Sequence, residues 1–149
     1  MTVIRNVRMT MSVVALSLGV VAVGALNFSD AGATTKPKPA LTVTPSLGLH
    51  NGTTVKVSGK GFKAKDQLYI VECLRVAKGQ NGCSISVLVP VVVGAGGTFP
   101  AVKFKVFTGK VGSGRCGVSA ATLKSCSISA GNASGGDTAS APIVFAAKK

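Results

Sequence analysis

Apolar and polar residues alternate along most of the chain after residue 40, and no segment there repeats with the 3.6-residue period of a helix. The best alternation runs from Thr98 to Phe107. Val102, Phe104 and Val106 face one way, and Lys103 and Lys105 the other. Thr54 to Ser58 repeats the pattern, with Val55 and Val57 on one side. Leu68 to Cys73 is the next strand, with Leu68, Ile70 and Glu72 sharing a side. A strand opens at Thr42 and is stopped or pushed to an edge by Pro45. A β-branched run from Ile85 to Val93 is interrupted by Pro90. Short strands are predicted around Val118 and Ile128, and a last one over Ile143 to Phe145. Turns fall at Asn51-Gly52, Gly59 to Gly61, Asn81-Gly82 and Gly94 to Gly97, while Thr108 to Gly114 and Ala130 to Ser140 read as loops. Seven or eight short strands with such turns predict an all-β sandwich.

The start of the chain has a different grammar. Arg5 and Arg8 precede an uncharged, mostly apolar run over Met9 to Leu26, and Ala31-Gly32-Ala33 follows with small residues. That order predicts a secretory signal peptide over residues 1–33. The competing reading is an uncleaved anchor, since the apolar run is 18 residues long. Residues 34–40 form a spacer rich in Pro and Lys, of extended polyproline character. Residues 41–147 form the β domain, which is large enough for its own core.

Charge and cysteine count sharpen this picture. The chain has 17 Lys and Arg against 4 Asp and Glu, a formal net charge of +13. Such a balance attracts polyanions, whether nucleic acid or an envelope polymer; its plainer reading is solubility. All four cysteines, Cys73, Cys83, Cys116 and Cys126, follow the leader and read as a disulfide framework. Three pairings are open, and the two equal spacings favour Cys73–Cys83 with Cys116–Cys126. A zinc site is the weaker reading, because metal knuckles use much shorter spacings.

Catalytic chemistry finds few candidates. The predicted mature part holds Asp66, Glu72, Asp137 and His50. A Ser-His-acid triad drawn through His50 lacks a nucleophile elbow around any serine, and His50 beside Asn51-Gly52 reads as a solvated turn residue. Neither a metal-ligand cluster nor a phosphate loop is present in the pattern, so no enzyme and no metal is expected. Asn51-Gly52-Thr53 and Asn132-Ala133-Ser134 match the glycosylation acceptor pattern.

From Leu41 onward the chain resembles the neocarzinostatin family of actinobacterial chromoproteins. The likeness is carried by Leu41 to Leu49 (LTVTPSLGL), Asn51-Gly52-Thr53, Val55-Lys56-Val57, Gly59-Lys60-Gly61 and the pair Cys73 and Cys83. Cys116 with Cys126, the Ala130-Gly131-Asn132 stretch and Pro142 to Phe145 follow in order, with gaps. The resemblance implies a seven-stranded immunoglobulin-like sandwich with two disulfides, exported as a monomer. It implies a non-enzymatic protein holding an enediyne-type chromophore non-covalently, with antibacterial activity and a DNA-binding label. The implied cleft lies beside the first disulfide, floored by Val71, Cys73, Cys83 and Phe107, with Glu72 and Arg75 as polar contacts.

Two features depart from the family, the aromatic lining of its cleft and the sign of its charge. Arg75 stands where the cleft of neocarzinostatin carries a tryptophan, and the hairpin before Cys116, which brings phenylalanines to the cleft, is shortened. Phe107 takes the place of one of them. The family's carriers are generally acidic, and this chain is strongly basic. Two functions therefore compete: a secreted carrier of a small aromatic ligand, and a basic, envelope-associated module without a ligand. In the second, Lys60, Lys63, Lys65, Lys103, Lys105 and Lys110 would hold the polyanion.

Overall fold

A computed structural model describes residues 36–76 and 80–147. The predicted leader and the Lys148-Lys149 tail lie outside the described residues. Nine strands form among the described residues: β1 (Ala40–Thr44), β2 (Thr54–Lys60), β3 (Gln67–Leu74), β4 (Val89–Val92), β5 (Phe99–Lys105), β6 (Gly109–Val111), β7 (Gly114–Cys116), β8 (Cys126–Gly131) and β9 (Ala139–Ile143). A three-stranded sheet has the order β1-β2-β5, a four-stranded sheet the order β4-β3-β8-β9, and β6 pairs with β7 as a ribbon. The two larger sheets supply the expected seven strands. Every pairing within the sheets is antiparallel.

The alternation read along the chain sorts residues to one shared core. Val43, Val55, Val57, Phe99 and Phe104 enter it from the three-stranded sheet, and Leu68, Ile70, Val91, Ile128 and Ile143 from the four-stranded sheet. Removing such apolar faces from water is the main stabilising term for a sandwich of this size. The disulfides pair as the spacing favours, Cys73 with Cys83 and Cys116 with Cys126.

Four local expectations are corrected. The segment read as a glycine-rich loop, Thr108 to Gly114, holds β6 and the start of β7, because Gly112, at φ 51, makes the tight reversal that lets the two arms pair. The strand expected around Val118 is absent, and a 3-10 turn occupies Ala120–Thr122. There the Thr122 hydroxyl accepts the N–H groups of Val118 and Ser119, which draws the backbone away from a ladder. The last strand begins at Ala139, inside the expected loop. Small residues let it lie flat against β8, and Phe145 keeps only an isolated bridge to Leu49. Of the Ile85 to Val93 run, only Val89–Val92 forms a strand, and Pro90 sits on it at the sheet edge. The end of the spacer lies close to the domain: a Cβ at Gly61 would come 2.7 Å from the Lys38 carbonyl oxygen.

Gly59 shows how tightly this core closes. The ladder between β2 and β5 shifts register between Val57 and Gly59; the extra residue lies on β5, which brings Phe99 to the core side against Gly59 and the ring of Phe62. The ring centroids are 5.6 Å apart, and a Cβ at residue 59 would overlap both rings. Gly59→Ala is expected to destabilise the domain by about 1–3 kcal/mol through overpacking. A urea melt that leaves the midpoint unchanged would refute that account.

Candidate functional site

Period-two geometry gives the four-stranded sheet an outer face with its own composition. On β3, Leu68, Ile70 and Glu72 point inward, so Tyr69, Val71 and Cys73 point out. Register aligns Val71 with Ser129 and Ser129 with Ser140; Cys73 lies opposite Ser127, and Ser127 opposite Pro142. These rows floor a hollow of about 780 Å³. Leu74, Arg75, Cys83, Ile85 and Leu88 wall one side, and the β8–β9 connection from Asn132 to Thr138 contributes to the other. The volume lies within the usual range of small-molecule sites.

The first disulfide forms part of the lining, and the ribbon braces its loop. The Ser113 N–H donates to the Asn81 carbonyl at 3.0 Å, and a Cβ on Gly112 would run into the backbone of residues 81–83. Gly114 leaves room for Leu74 in the same way. The shortened hairpin therefore buttresses the disulfide loop and brings no residue of its own to the hollow lining.

Polar groups in the hollow are few. Ser129 and Ser140 share a hydroxyl hydrogen bond of 2.7 Å across the strands. The Arg75 backbone N–H donates to the Ser125 carbonyl at 2.8 Å, which fixes the start of that side chain at the rim. Asn132 donates to Asp66 at 2.9 Å and accepts from Ser134 and the Gly136 N–H, so the opposite rim is hydrogen-bonded within itself. An apolar floor with hydroxyls and one guanidinium can orient a ligand of mixed polarity.

The structure divides the four residues expected to touch a ligand. Val71 and Arg75 line the hollow. Glu72 and Phe107 do not. Glu72 lies on the core side of β3, 1% exposed. Its Oε2 accepts the Phe107 backbone N–H at 2.9 Å, and its Oε1 has no partner. Burial pushes its carboxyl up to about 7, against the opposing pull of the Phe107 N–H. The reason is register: a residue between Val71 and Cys73 cannot share their face. The Cys116 and Cys126 sulfurs lie within 4.8 Å of a Glu72 oxygen, but they are joined in a disulfide and offer no thiolate to a metal.

Tyr69, Ser127, Ser129, Ser140 and Pro142 line the hollow without a sequence motif that marks them as ligand contacts. Only the alternation on β3 pointed to any of them: once Leu68 and Ile70 face the core, Tyr69 must face out. His50 is exposed on its turn, where its backbone N–H donates to the Thr53 hydroxyl at 3.0 Å. Asp137 accepts the Lys63 backbone N–H. No histidine or carboxylate is among the described residues lining the hollow.

Residues 41–145 match the family model described as the Neocarzinostatin family. The antitumor antibiotic C-1027 apoprotein of Streptomyces globisporus is 33% identical over 123 residues, covering 76% of this chain and 82% of that protein. Macromomycin of Streptomyces macromomyceticus is 35% identical over 112 residues, covering 72% and 77%. Among solved structures, macromomycin superposes with a TM-score of 0.58 at 33% identity, covering 72% of this chain and 99% of that one. The solution structure of apokedarcidin gives 0.51 at 27% identity, covering 74% and 100%.

Proposed function

This chain belongs to the neocarzinostatin family, and on that footing we propose that it is an exported, non-enzymatic carrier of a small aromatic ligand of the enediyne type, held non-covalently. The observation that carries the reading is the hollow on the outer face of β3, β8 and β9, beside the Cys73–Cys83 disulfide. Tyr69, Val71, Leu74, Ile85, Leu88 and Pro142 supply its apolar surface, and Arg75 stands at the rim as a cationic contact for a flat ring or an acyl oxygen. With one lining ring, Tyr69, specificity rests more on shape and on the Ser129–Ser140 hydroxyl pair than on aromatic stacking. On this reading, any antibacterial or DNA-directed action belongs to the released ligand.

The chain has one tyrosine and no tryptophan, so its intrinsic fluorescence comes from within the proposed site. Naphthoate esters and polycyclic quinones are expected to quench Tyr69 saturably. Ser129→Arg puts a long cation across the floor between Val71 and Ser140, and it is expected to weaken that binding by about tenfold or more, about 1.4 kcal/mol. Quenching that never saturates, or that survives Ser129→Arg unchanged, removes the hollow as the binding site.

A further inference from the structure

The face of the molecule formed by the outer side of the three-stranded sheet is chemically unlike the hollow. Alternation sends Val55, Val57 and Phe104 inward and leaves Lys56, Lys103 and Lys105 exposed. Register places Lys56 directly opposite Lys103. Lys60 follows at the end of β2 and borders a shallow depression with Lys36 and Lys38. Lysines thus run along about 20 Å of sheet, given the strand rise, with Lys103 and Lys105 about 7 Å apart and Lys56 and Lys60 about 13 Å apart.

No acidic side chain among the described residues answers them. Of the four acids in the chain, three are described, and each is engaged elsewhere. Asp66 accepts from Asn132, Glu72 from the Phe107 N–H, and Asp137 from the Lys63 N–H. Like charges directly opposite one another on a sheet destabilise it. The Lys56–Lys103 pair therefore works against the fold and gains nothing within the described residues.

We propose that this face is a docking surface for a linear polyol-phosphate polymer of the cell-wall kind. A phosphodiester chain carries charges at a spacing the lysine row can follow, and Thr42, Thr44, Thr54 and Ser58 on the same face offer hydroxyls to its polyol repeat. The cations on these strands are lysines, which act as point charges and do not form the planar fork that arginine uses on bases or phosphates. Phe99 and Phe104, the rings on these strands, are buried, so no platform for stacking nucleobases is present. The exposed large apolar residues, Leu47, Val76, Ile85, Leu88 and Val92, all lie outside these strands, so nothing here would anchor in a lipid surface. The surface lies on the other sheet from the hollow, so it is separate from the carrier reading.

The test measures binding of a labelled glycerol-phosphate oligomer of about eight repeats, from about 20 mM salt upward. Four lysines engaging phosphates predict a slope of log K against log salt near about −3. Lys56→Gln/Lys103→Gln is expected to reduce that slope to about half and to weaken binding about tenfold at low salt. Its Tm should equal or exceed that of the native protein, since a repulsive pair is gone, and quenching of Tyr69 by ring compounds should be unaltered. Absence of binding at low salt, or equal binding by the double variant, overturns the proposal. Tighter binding of an oligothymidylate with the same phosphate count, or of phosphatidylglycerol vesicles, overturns the assignment to a polyol-phosphate chain.

Discussion

Glu72→Gln is expected to flatten the pH dependence of folding. Glu72 is buried between the sheets, with one oxygen bonded to the Phe107 N–H and the other unpartnered. Its folded-state pKa is raised from 4.5 to about 7 by burial. The folded form therefore binds a proton more tightly than the unfolded form between those values. The sign follows directly: the stabilisation is complete below pH about 4.5, is lost as pH rises through about 7, and is gone above it. The span is on the order of 3 kcal/mol. Glutamine keeps an oxygen for the Phe107 N–H and cannot ionise. The variant should match the native protein near pH 4 and exceed it by up to about 3 kcal/mol near pH 9. Urea melts at both pH values decide the matter. Native and variant midpoints that move in parallel with pH would show that Glu72 is not the group responsible.

The second large effect separates the two disulfides. Each closes a loop with a sequence separation of 10. Losing either is expected to remove about 3 kcal/mol through the entropy returned to the unfolded chain. Their consequences for the site should differ. Cys73 and Cys83 line the hollow, and the ribbon packs on the loop between them. Cys116 and Cys126 are fully buried on the core side. Cys73→Ala/Cys83→Ala should therefore lose both stability and ligand quenching of Tyr69. Cys116→Ala/Cys126→Ala should lose comparable stability and, at a temperature where it stays folded, keep ligand affinity. Equal ligand affinity in both folded variants would deny the first disulfide a part in the site.

Glu72 also shows where reading the chain succeeds and where it stops. Alternation placed it with Leu68 and Ile70, and the structure agrees. The family likeness offered it as a cleft contact beside Val71. Those two placements cannot both hold on one strand, and the period of two prevails because burial is set by the pleat. Val71, which the family likeness also offered, shares the parity of Cys73 and lies on the outer face, and Arg75 follows just past the end of β3. Phe107 was not legible, since its position depends on how the chain leaves β5, and what fixes it is a backbone bond to a side chain 35 residues away.

The amino-acid order alone determined the strands with strong alternation, β2, β3 and β5, along with the excess of basic charge, and its cysteine spacing favoured the disulfide pairs that form. These are local or compositional properties: each depends on neighbours along the chain or on a count. Tertiary structure decided the rest. It brought Ser129 and Ser140 under Val71, turned a glycine-rich stretch into a brace for the first disulfide, and set Lys56 against Lys103 while sending Lys63 and Lys110 elsewhere. Those outcomes depend on register between strands distant in sequence. Register is fixed by which apolar faces can close one core together, and no short window of residues contains that condition.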